Sequence, residues 1–313
     1  MNSTIKRILR QFASRIDKCR QWLNAAIALS FLSVLNLFPA DPAIRFSDRL
    51  ARMVGPMTPR HKLVLYNLAL AYPKKSDVER REIAIASWGH MGRLAAEYVF
   101  LDQLFDYDPA RDETGRIEVT GIEEFQELND HKRPFIVFTA HTGNFELLAV
   151  VRAKFGLNVT TLFRPPNNPY IAEKISKFRK QRMGNLVPSH AGFSFALARQ
   201  LERGGGVGIL VDQKFRKGLL SKFFGEDVRT NPLLAKLVRQ FECDVFPARC
   251  IRLPDNRFRL ELERKIVIPR DERGYVDVRR TAQLLNGKVE SWIREYPDQW
   301  LWYHDRWDQR RDI

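Results

Sequence analysis

The sequence predicts an α/β protein with a central mixed sheet and flanking helices, preceded by an N-terminal membrane-associated helix and a helical segment. Three features predict this fold class. An uncharged apolar run lies near the N-terminus, apolar residues recur at three- and four-residue spacing over residues 44–105, and short apolar runs then alternate with helical periods. Strands that alternate with helices are typical of βαβ units.

The composition fits a folded protein with an anionic partner. The chain has 313 residues, 52 Lys and Arg against 37 Asp and Glu, and a net charge of +15. Such a surface attracts nucleic acid, anionic lipid headgroups or acidic proteins, and charge alone does not choose among them. The three cysteines are too few for a disulfide framework and lack metal-site spacing, so they indicate a reducing compartment.

Residues 1–43 form a basic lead and an apolar run that we predict to be a membrane-associated helix. The run from Leu23 to Ala40 carries no charge, follows Trp22, and is at the short end of what crosses a bilayer. A signal peptide would need a cleavage site of small residues, which we do not find. A buried core helix is the alternative. Basic residues flank both ends, so a short span and a monotopic helix both stay open.

Residues 44–313 are predicted to form one domain, with a helical part (44–115) and an α/β part (116–313). Within the second part, the strands are predicted at 134–140, 158–163, 205–213, 243–251 and 257–268. The intervening helices are predicted at 144–156, 168–182, 193–205 and 277–295. An aromatic tail, QWLWYHDRW, follows the last helix.

The stretch HTGNFE, at the end of the first predicted strand, carries candidate chemistry. On one continuous helix, His141 and Glu146 would face about 140° apart. Gly143 interrupts the geometry, so a histidine at the strand end and a glutamate in the first helical turn can converge as a base and its orienting acid. An isolated pattern of this kind is most often a polar strand end and a solvated helix charge. The other histidines are scattered, so we expect no metal.

Further segments change this balance, because their order and spacing resemble the bacterial lipid A biosynthesis acyltransferases of the lysophospholipid acyltransferase superfamily. The matching segments are NLALAYP (67–73), His141 to Glu146, FRPPNNP (163–169), VDQ (211–213), FFG (223–225), VFPAR (245–249) and YPDQWLWYHDRW (296–307). They extend over nearly the whole chain. The resemblance implies a glycerol-3-phosphate acyltransferase-like fold. The threonine-rich stretch that follows FFG in the family is reduced here to VRTNP.

The resemblance implies transfer of a fatty acyl chain from a thioester to a hydroxyl of a lipid A precursor. His141 would be the base and Glu146 its orienter, and we regard the backbone N–H groups of Gly143 and Asn144 as candidates to stabilise the oxyanion. Arg164 is the best candidate to bind phosphate, because a guanidinium matches phosphate bidentately.

Other residues in the matching segments are candidates for the two substrates. Asn167 and Asn168 are candidate hydrogen-bonding partners of the substrate, although ordinary turn chemistry also explains them. Asp212 and Gln213 lie where an apolar strand ends and are assigned to substrate binding, with a helix cap or a structural ion pair as the alternative for Asp212. Phe223, Phe224 and Gly225 are acyl-pocket candidates, with simple packing as the alternative.

The resemblance also implies partners and location. The donor is expected to be acyl carrier protein or acyl-CoA, the acceptor an anionic glycolipid, and the location the bacterial inner membrane, with the catalytic domain facing the cytoplasm. No cofactor is expected, because GGGVG (204–208) lacks a dinucleotide fingerprint. One alternative is a glycerophospholipid or other glycolipid acyltransferase that uses acyl-CoA. Another is a membrane-tethered nucleic-acid-binding protein, but no reading motif supports it and we expect no nucleic-acid partner.

Overall fold

The computed structural model describes residues 3–107, 115–130, 133–189 and 192–308. The first part is helical, as predicted. Its helices are α1 (Ser3–Leu35), α2 (Ala40–Val54), α3 (Arg60–Ala71) and α4 (Asp77–Leu104). Helix α4 begins with a capping box, in which Ser76 accepts from the backbone of Glu79 and the Glu79 carboxylate accepts from the backbone of Ser76. Helices α1, α2 and α3 each contact α4, and α2 packs along it most extensively.

Helix α1 contains most of the predicted apolar run and ends at Leu35, before the proline-containing stretch that follows. Among the described residues, no helix has both the length and the apolar character that a bilayer span requires. The association of this helix with a membrane therefore stays a prediction.

The second part alternates strands and helices. The strands are β1 (Ile117–Thr120), β2 (Phe135–Thr139), β3 (Val159–Phe163), β4 (Leu186–Pro188), β5 (Gly206–Leu210), β6 (Lys214–Phe223), β7 (Glu226–Thr230), β8 (Asp244–Arg252) and β9 (Phe258–Leu262). Seven of them form one sheet in the order β1-β9-β8-β2-β5-β3-β4, and β6 and β7 form a separate hairpin. Only β8 and β9 pair antiparallel within the large sheet. The predicted mixed sheet is confirmed.

Helices cover both faces of this sheet. They are α5 (Ile122–Asp130), α6 (Glu146–Lys154), α7 (Pro169–Arg182), α8 (Phe193–Glu202), α9 (Leu233–Phe241) and α10 (Val278–Glu295). Strand β2 shows how the two cores separate: Ile136 and Phe138 join one apolar cluster, whereas Phe135 joins the other. Alternate residues of a strand face opposite sides, so the two clusters lie on opposite faces of the sheet.

The structure differs from the sequence prediction at short strands. β1, β4 and the β6–β7 hairpin were not predicted, because their runs are short or rich in charged residues. The predicted strand at 257–268 is regular only as far as Leu262, although the N–H groups of Glu263 and Ile266 still donate to carbonyls of β8. The C-terminal aromatic tail is buried, and Asn67 of α3 fixes it by donating to the carbonyls of Trp302, at 2.8 Å, and His304, at 2.9 Å.

Candidate active site

Two adjacent parallel strands bring the central pair of the site together. Thr139 of β2 lies opposite Leu210 of β5, and each strand ends there. His141 and Asp212 each follow two residues later. Side chains just beyond the carboxyl ends of neighbouring parallel strands meet at one edge of the sheet. The topology therefore places an imidazole and a carboxylate side by side.

The turn after His141 requires glycine. Gly143 has a φ of 55°, and a Cβ there would lie 2.3 Å from the carbonyl oxygen of Cys250. Both features exclude a larger residue. The turn reverses the chain sharply between the strand end and the first residue of α6, Glu146.

Asp212 holds His141 at two points. Its Oδ1 lies 2.8 Å from His141 Nδ1, and its Oδ2 accepts the backbone N–H of His141 at 2.9 Å. The Trp300 indole also donates to Oδ2 at 2.8 Å. Burial opposes ionisation of this carboxyl, but the charge and hydrogen bonds of His141, with the Trp300 N–H, hold the pKa of Asp212 below its usual range. The carboxylate is therefore ionised and fixes the imidazole.

This geometry corrects the predicted role of Glu146. In the structure the carboxylate that orients His141 is Asp212, which was predicted to bind substrate. Glu146 accepts instead from the Tyr98 hydroxyl and from Arg179, whose Nε lies 3.2 Å from Oε2. The reason is topological: β5 is the direct neighbour of β2, whereas Glu146 begins a helix whose first turn meets α4 and α7. Burial, and then the charge of Glu146, raise the pKa of Tyr98.

The remaining imidazole nitrogen is available for chemistry. With the Nδ1 proton assigned to the bond with Asp212, Nε2 carries a lone pair. The amide Nε2 of Gln213 lies 3.2 Å from this atom, at a distance suited to donation. The Phe145 ring meets the imidazole edge-on, with centroids 4.7 Å apart. His141 thus has one ring nitrogen on Asp212 and the other towards Gln213 and the polar cavity.

His141 opens into a polar cavity of about 800 Å³ that is lined by cations. Lys214 is paired with Asp305 at 2.9 Å and Asp308 at 2.8 Å. Arg164 and Arg216 are exposed and have no ion-pair partner in the described part of the chain. Arg60 donates to the carbonyl of Tyr303 at 3.2 Å. Within the described ranges, the guanidinium groups of Arg60, Arg164 and Arg216 therefore line the cavity with no carboxylate paired to them, which suits an anion site.

A second, narrow and largely apolar cavity adjoins the first. It lies between the sheet and helices α6 and α7, and strands β2, β3 and β5 contribute its wall. Phe145, Phe163, Arg179 and Leu210 line both cavities, so they mark the junction. A substrate with an anionic head and an apolar chain would match this pair of cavities.

The predicted oxyanion donors are engaged elsewhere. The Gly143 N–H donates to the carbonyl of Gln299 at 3.0 Å, and Asn144 is buried beside the Cys250 thiol. The Asn144 amide donates to the buried carboxylate of Glu97 at 2.9 Å. The sharp turn that places His141 at the cavity therefore directs the backbone N–H groups of Gly143 and Asn144 into the protein interior, away from the cavity side of His141.

The other predicted residues divide between the site and the scaffold. Arg164, Asn167 and Gln213 line the polar cavity. Asn168 caps α7 by accepting the N–H of Tyr170 at 3.0 Å, and its amide donates to the carbonyl of Gln21 at 2.7 Å. This matches the turn chemistry considered as its alternative.

The predicted acyl-pocket residues also lie outside the apolar cavity. Phe223 and Phe224 are buried on the opposite face of the sheet and pack against the aromatic tail, and Gly225 turns the β6–β7 hairpin. In the structure these residues have the packing role that the sequence analysis gave as the alternative to an acyl pocket.

Sequence reasoning did not predict that Arg60 and Arg216 line the polar cavity. It also did not predict that Tyr98 and Arg179 bind the Glu146 carboxylate. None belongs to a short motif, and their positions on separate helices and a hairpin give no pattern in one sequence. Within the described ranges, no group of three or more His, Cys, Asp or Glu side chains has metal-site geometry.

Comparison with known proteins identifies the family. Residues 9–309 match the bacterial lipid A biosynthesis acyltransferase family. The chain is 24% identical to the lipid A biosynthesis lauroyltransferase of Escherichia coli (strain K12), over 96% of each chain. It is 22% identical to the lipid A biosynthesis myristoyltransferase of the same organism, over 90% of this chain and 84% of that protein. It is also 22% identical to lipid A biosynthesis acyltransferase 2 of Shigella flexneri, over 88% and 86%. The chain therefore belongs to the bacterial lipid A biosynthesis acyltransferase family and is an acyltransferase.

Proposed function

We propose that the protein transfers a fatty acyl chain from an acyl carrier protein thioester to a hydroxyl of a lipid A precursor. The observation that carries this proposal is the position of His141: it is fixed by Asp212 and opens into a cation-lined cavity that adjoins an apolar one. The base, the anion site and the apolar site correspond to the acceptor hydroxyl, the phosphates and the acyl chain.

The reaction begins with proton transfer to His141. Nε2 takes the proton of the acceptor hydroxyl, and the oxygen attacks the thioester carbonyl carbon to form a tetrahedral intermediate. The C–S bond then breaks, and the imidazolium returns the proton to the departing thiolate. The products are an ester and a thiol. Asp212 stabilises the imidazolium between the two transfers, because its carboxylate is ionised and hydrogen-bonded to Nδ1.

Glu146 has a different task in this proposal. Its buried carboxylate is paired with Arg179, which lines both cavities and stacks over the Phe163 ring at 5.2 Å. A charged side chain held in this way fixes the junction at which the thioester would lie. Glu146 is therefore a positioning residue for Arg179.

Phosphate binding is assigned to Arg164, with Arg60 and Arg216. All three are exposed and face the polar cavity, and a guanidinium matches phosphate oxygens bidentately. The net charge of +15 favours approach of both an acidic carrier protein and an anionic lipid.

We assign the membrane contact to the apolar surface formed by the turn between α1 and α2, by α2 and by the turn after α2. Leu37, Phe38, Phe46, Met53 and Met57 are each more than half exposed. Exposed basic residues, Arg45 and Arg49, lie on the same helix as Phe46. Apolar side chains beside cations suit a protein that lies on the inner membrane, with its site facing the cytoplasm.

The test is acyl transfer by the full chain on vesicles of anionic phospholipid, with labelled acyl carrier protein thioester and a tetra-acylated lipid A precursor. Wild type, His141→Ala and Arg273→Ala are compared, since Arg273 is an exposed arginine in a turn away from the site. We expect transfer by wild type and Arg273→Ala and none by His141→Ala. Equal activity in all three would remove His141 as the base. Transfer from acyl-CoA to a glycerolipid, with none to the precursor, would replace the proposed substrates.

A further inference from the structure

Gly208 lines the apolar cavity. It is the third residue of β5, an interior strand of the sheet, where it is opposite Val137 of β2 and Thr161 of β3. Glycine in a strand interior weakens the strand, and it often marks a place where a ligand approaches the backbone. Gly208 is partly exposed, unlike its buried neighbours Gly206 and Val207, because it forms part of the cavity wall.

Gly206 gives an internal comparison, since it points to the same face of the strand. A Cβ at Gly206 would lie 2.4 Å from the Phe135 ring and 2.9 Å from Val159 Cγ2. Neighbouring side chains therefore already fill that position. A Cβ at Gly208 would first meet Thr161 Oγ1, at 3.0 Å, and otherwise project towards the cavity. The absence of a side chain at Gly208 leaves open space in the cavity. At Gly206 the side chains of Phe135 and Val159 occupy the corresponding space.

Arg152 lies at the deep end of the same cavity. Its guanidinium donates to the carbonyls of Val159 and Met183, and its Nε has no hydrogen-bond partner in the described structure. Burial lowers its pKa, and no carboxylate is paired with it in the described ranges. Val159 is the first residue of β3 and Phe163, at the junction, is the last. The cavity therefore extends along β3, from the junction near His141 to a buried cation.

The depth of the cavity follows from strand geometry. Four residues of β3 span about 13 Å, and the two residues from Leu210 to Gly208 about 6.6 Å. An extended hydrocarbon advances about 1.25 Å per bond, from a bond length near 1.5 Å and a tetrahedral angle. A chain entering at the junction would therefore pass Gly208 after about five carbons and reach Arg152 after about ten.

We propose that Gly208 and Arg152 set the acyl chain length: the chain passes over Gly208 and ends against Arg152, which favours decanoyl and lauroyl donors. This rests on the proposed function, because it takes the apolar cavity as the acyl site. A methyl group at position 208 obstructs every chain that extends past it, while hexanoyl ends at or before it. Room made at the deep end, by shortening Met183, admits longer chains.

The experiment compares wild type, Gly208→Ala, Met183→Ala and Gly287→Ala with hexanoyl, octanoyl, decanoyl, lauroyl, myristoyl and palmitoyl thioesters. Gly287→Ala is the matched control, since it makes the same change on α10 where a Cβ would meet no atom within 4 Å. We expect Gly208→Ala to lower kcat/KM for lauroyl roughly tenfold or more relative to hexanoyl. Met183→Ala should move the optimum towards myristoyl, and Gly287→Ala should change nothing.

A uniform effect of Gly208→Ala on all donors, or none, would overturn the proposal. So would a change of chain preference in Ala248→Val without one in Gly208→Ala, because Ala248 lines the cavity in a different direction, over β8. Binding of laurate, measured by calorimetry on the same proteins, separates this inference from the proposed function. Laurate binding that Gly208→Ala weakens, in a protein that transfers nothing, would retain the cavity assignment and reject the reaction. Thermal melting identifies any variant that does not fold.

Discussion

Asp212 accepts two hydrogen bonds from one residue: the Nδ1 and the backbone N–H of His141 lie 2.8 Å and 2.9 Å from its two carboxylate oxygens. One carboxylate thus fixes both the position of the strand end and the tautomer of the imidazole. Although burial opposes its ionisation, the charge and hydrogen bonds of His141 and the Trp300 N–H lower the pKa of Asp212, so it stays ionised throughout the neutral range.

Replacing Asp212 by Asn should therefore lower kcat by roughly 10²- to 10⁴-fold, with little change in KM for the lipid. The Asn amide can donate to Nδ1, which would place the proton on Nε2 and remove the base. Steady-state kinetics of Asp212→Asn and Glu146→Gln, beside His141→Ala, measure this. If Glu146→Gln abolished turnover and Asp212→Asn retained it, Glu146 would be the orienter after all.

Arg164→Ala and Arg216→Ala should weaken binding of a phosphorylated acceptor. Each change removes an exposed guanidinium that has no carboxylate partner in the described structure, so we expect KM for the precursor to rise roughly tenfold per residue, with kcat nearly constant. A dephosphorylated precursor serves as the internal control, because its KM should not respond. An equal rise in KM for both acceptors would show that these arginines do not bind phosphate.

His304 should make stability depend on pH in the mildly acidic range. Burial lowers its pKa to about 4, and its Nε2 accepts the backbone N–H of Lys214 at 2.8 Å. In the unfolded chain His304 binds a proton near pH 6.5, whereas in the folded protein it binds one only near pH 4. Stability is therefore lost as the pH falls from about 6.5 to about 4, by at most roughly 3 kcal/mol from this group.

Urea unfolding at several pH values in this window measures the effect. His304→Gln keeps a hydrogen-bond acceptor but does not titrate, so its free energy of unfolding should fall less steeply with decreasing pH than that of wild type. Parallel curves for the two proteins would contradict the assignment. Above about pH 7, His304 is unprotonated in both the folded and the unfolded protein. The free energies of unfolding of wild type and variant should therefore differ by a constant amount there.

The buried ion pair of Glu97 and Arg252 stabilises the turn that follows His141. Arg252 donates to both carboxylate oxygens, and Glu97 also accepts from Asn144, the residue after Gly143. Both side chains are almost fully buried. Glu97→Gln should lower the free energy of unfolding by about 3–5 kcal/mol, because it leaves a buried guanidinium without its counter-ion.

Replacing both partners together, with Glu97→Met and Arg252→Met, should cost less than the sum of the single changes. A double-mutant cycle by chemical denaturation tests this. Additive effects would show that the two charges are not coupled.

The apolar surface on the helical part should govern membrane binding. Met57→Ser with Phe38→Ser removes two exposed apolar side chains, and we expect the vesicle-bound fraction to fall severalfold. Phe195→Ser is the matched control, because Phe195 is 80% exposed, like Met57 at 81%, but lies on α8. Sedimentation with anionic vesicles measures it. An equal loss of binding in the control would indicate a general effect of hydrophobicity.

The sequence by itself determined the α/β class with its mixed sheet and the strands that carry the candidate site, and it singled out His141 as a candidate. Hydrophobic periodicity is local, so β2, β3, β5, β8 and β9 were recognisable from their own residues. The order and spacing of seven segments identified the family. Arg164, Asn167 and Gln213 were found in the same way, and all three face the polar cavity.

Only the tertiary structure decided which carboxylate meets His141. Glu146 is five residues away in the chain and Asp212 is 71, yet strand pairing brings β5 against β2, and Asp212 with it. The same holds for Gly208. Strand pairing places it between Val137 and Thr161 in the wall of the apolar cavity, and only there does the absence of a side chain leave space for a ligand. Periodicity gives each strand its face, but the order of strands in a sheet is set by long-range packing, which no local pattern encodes.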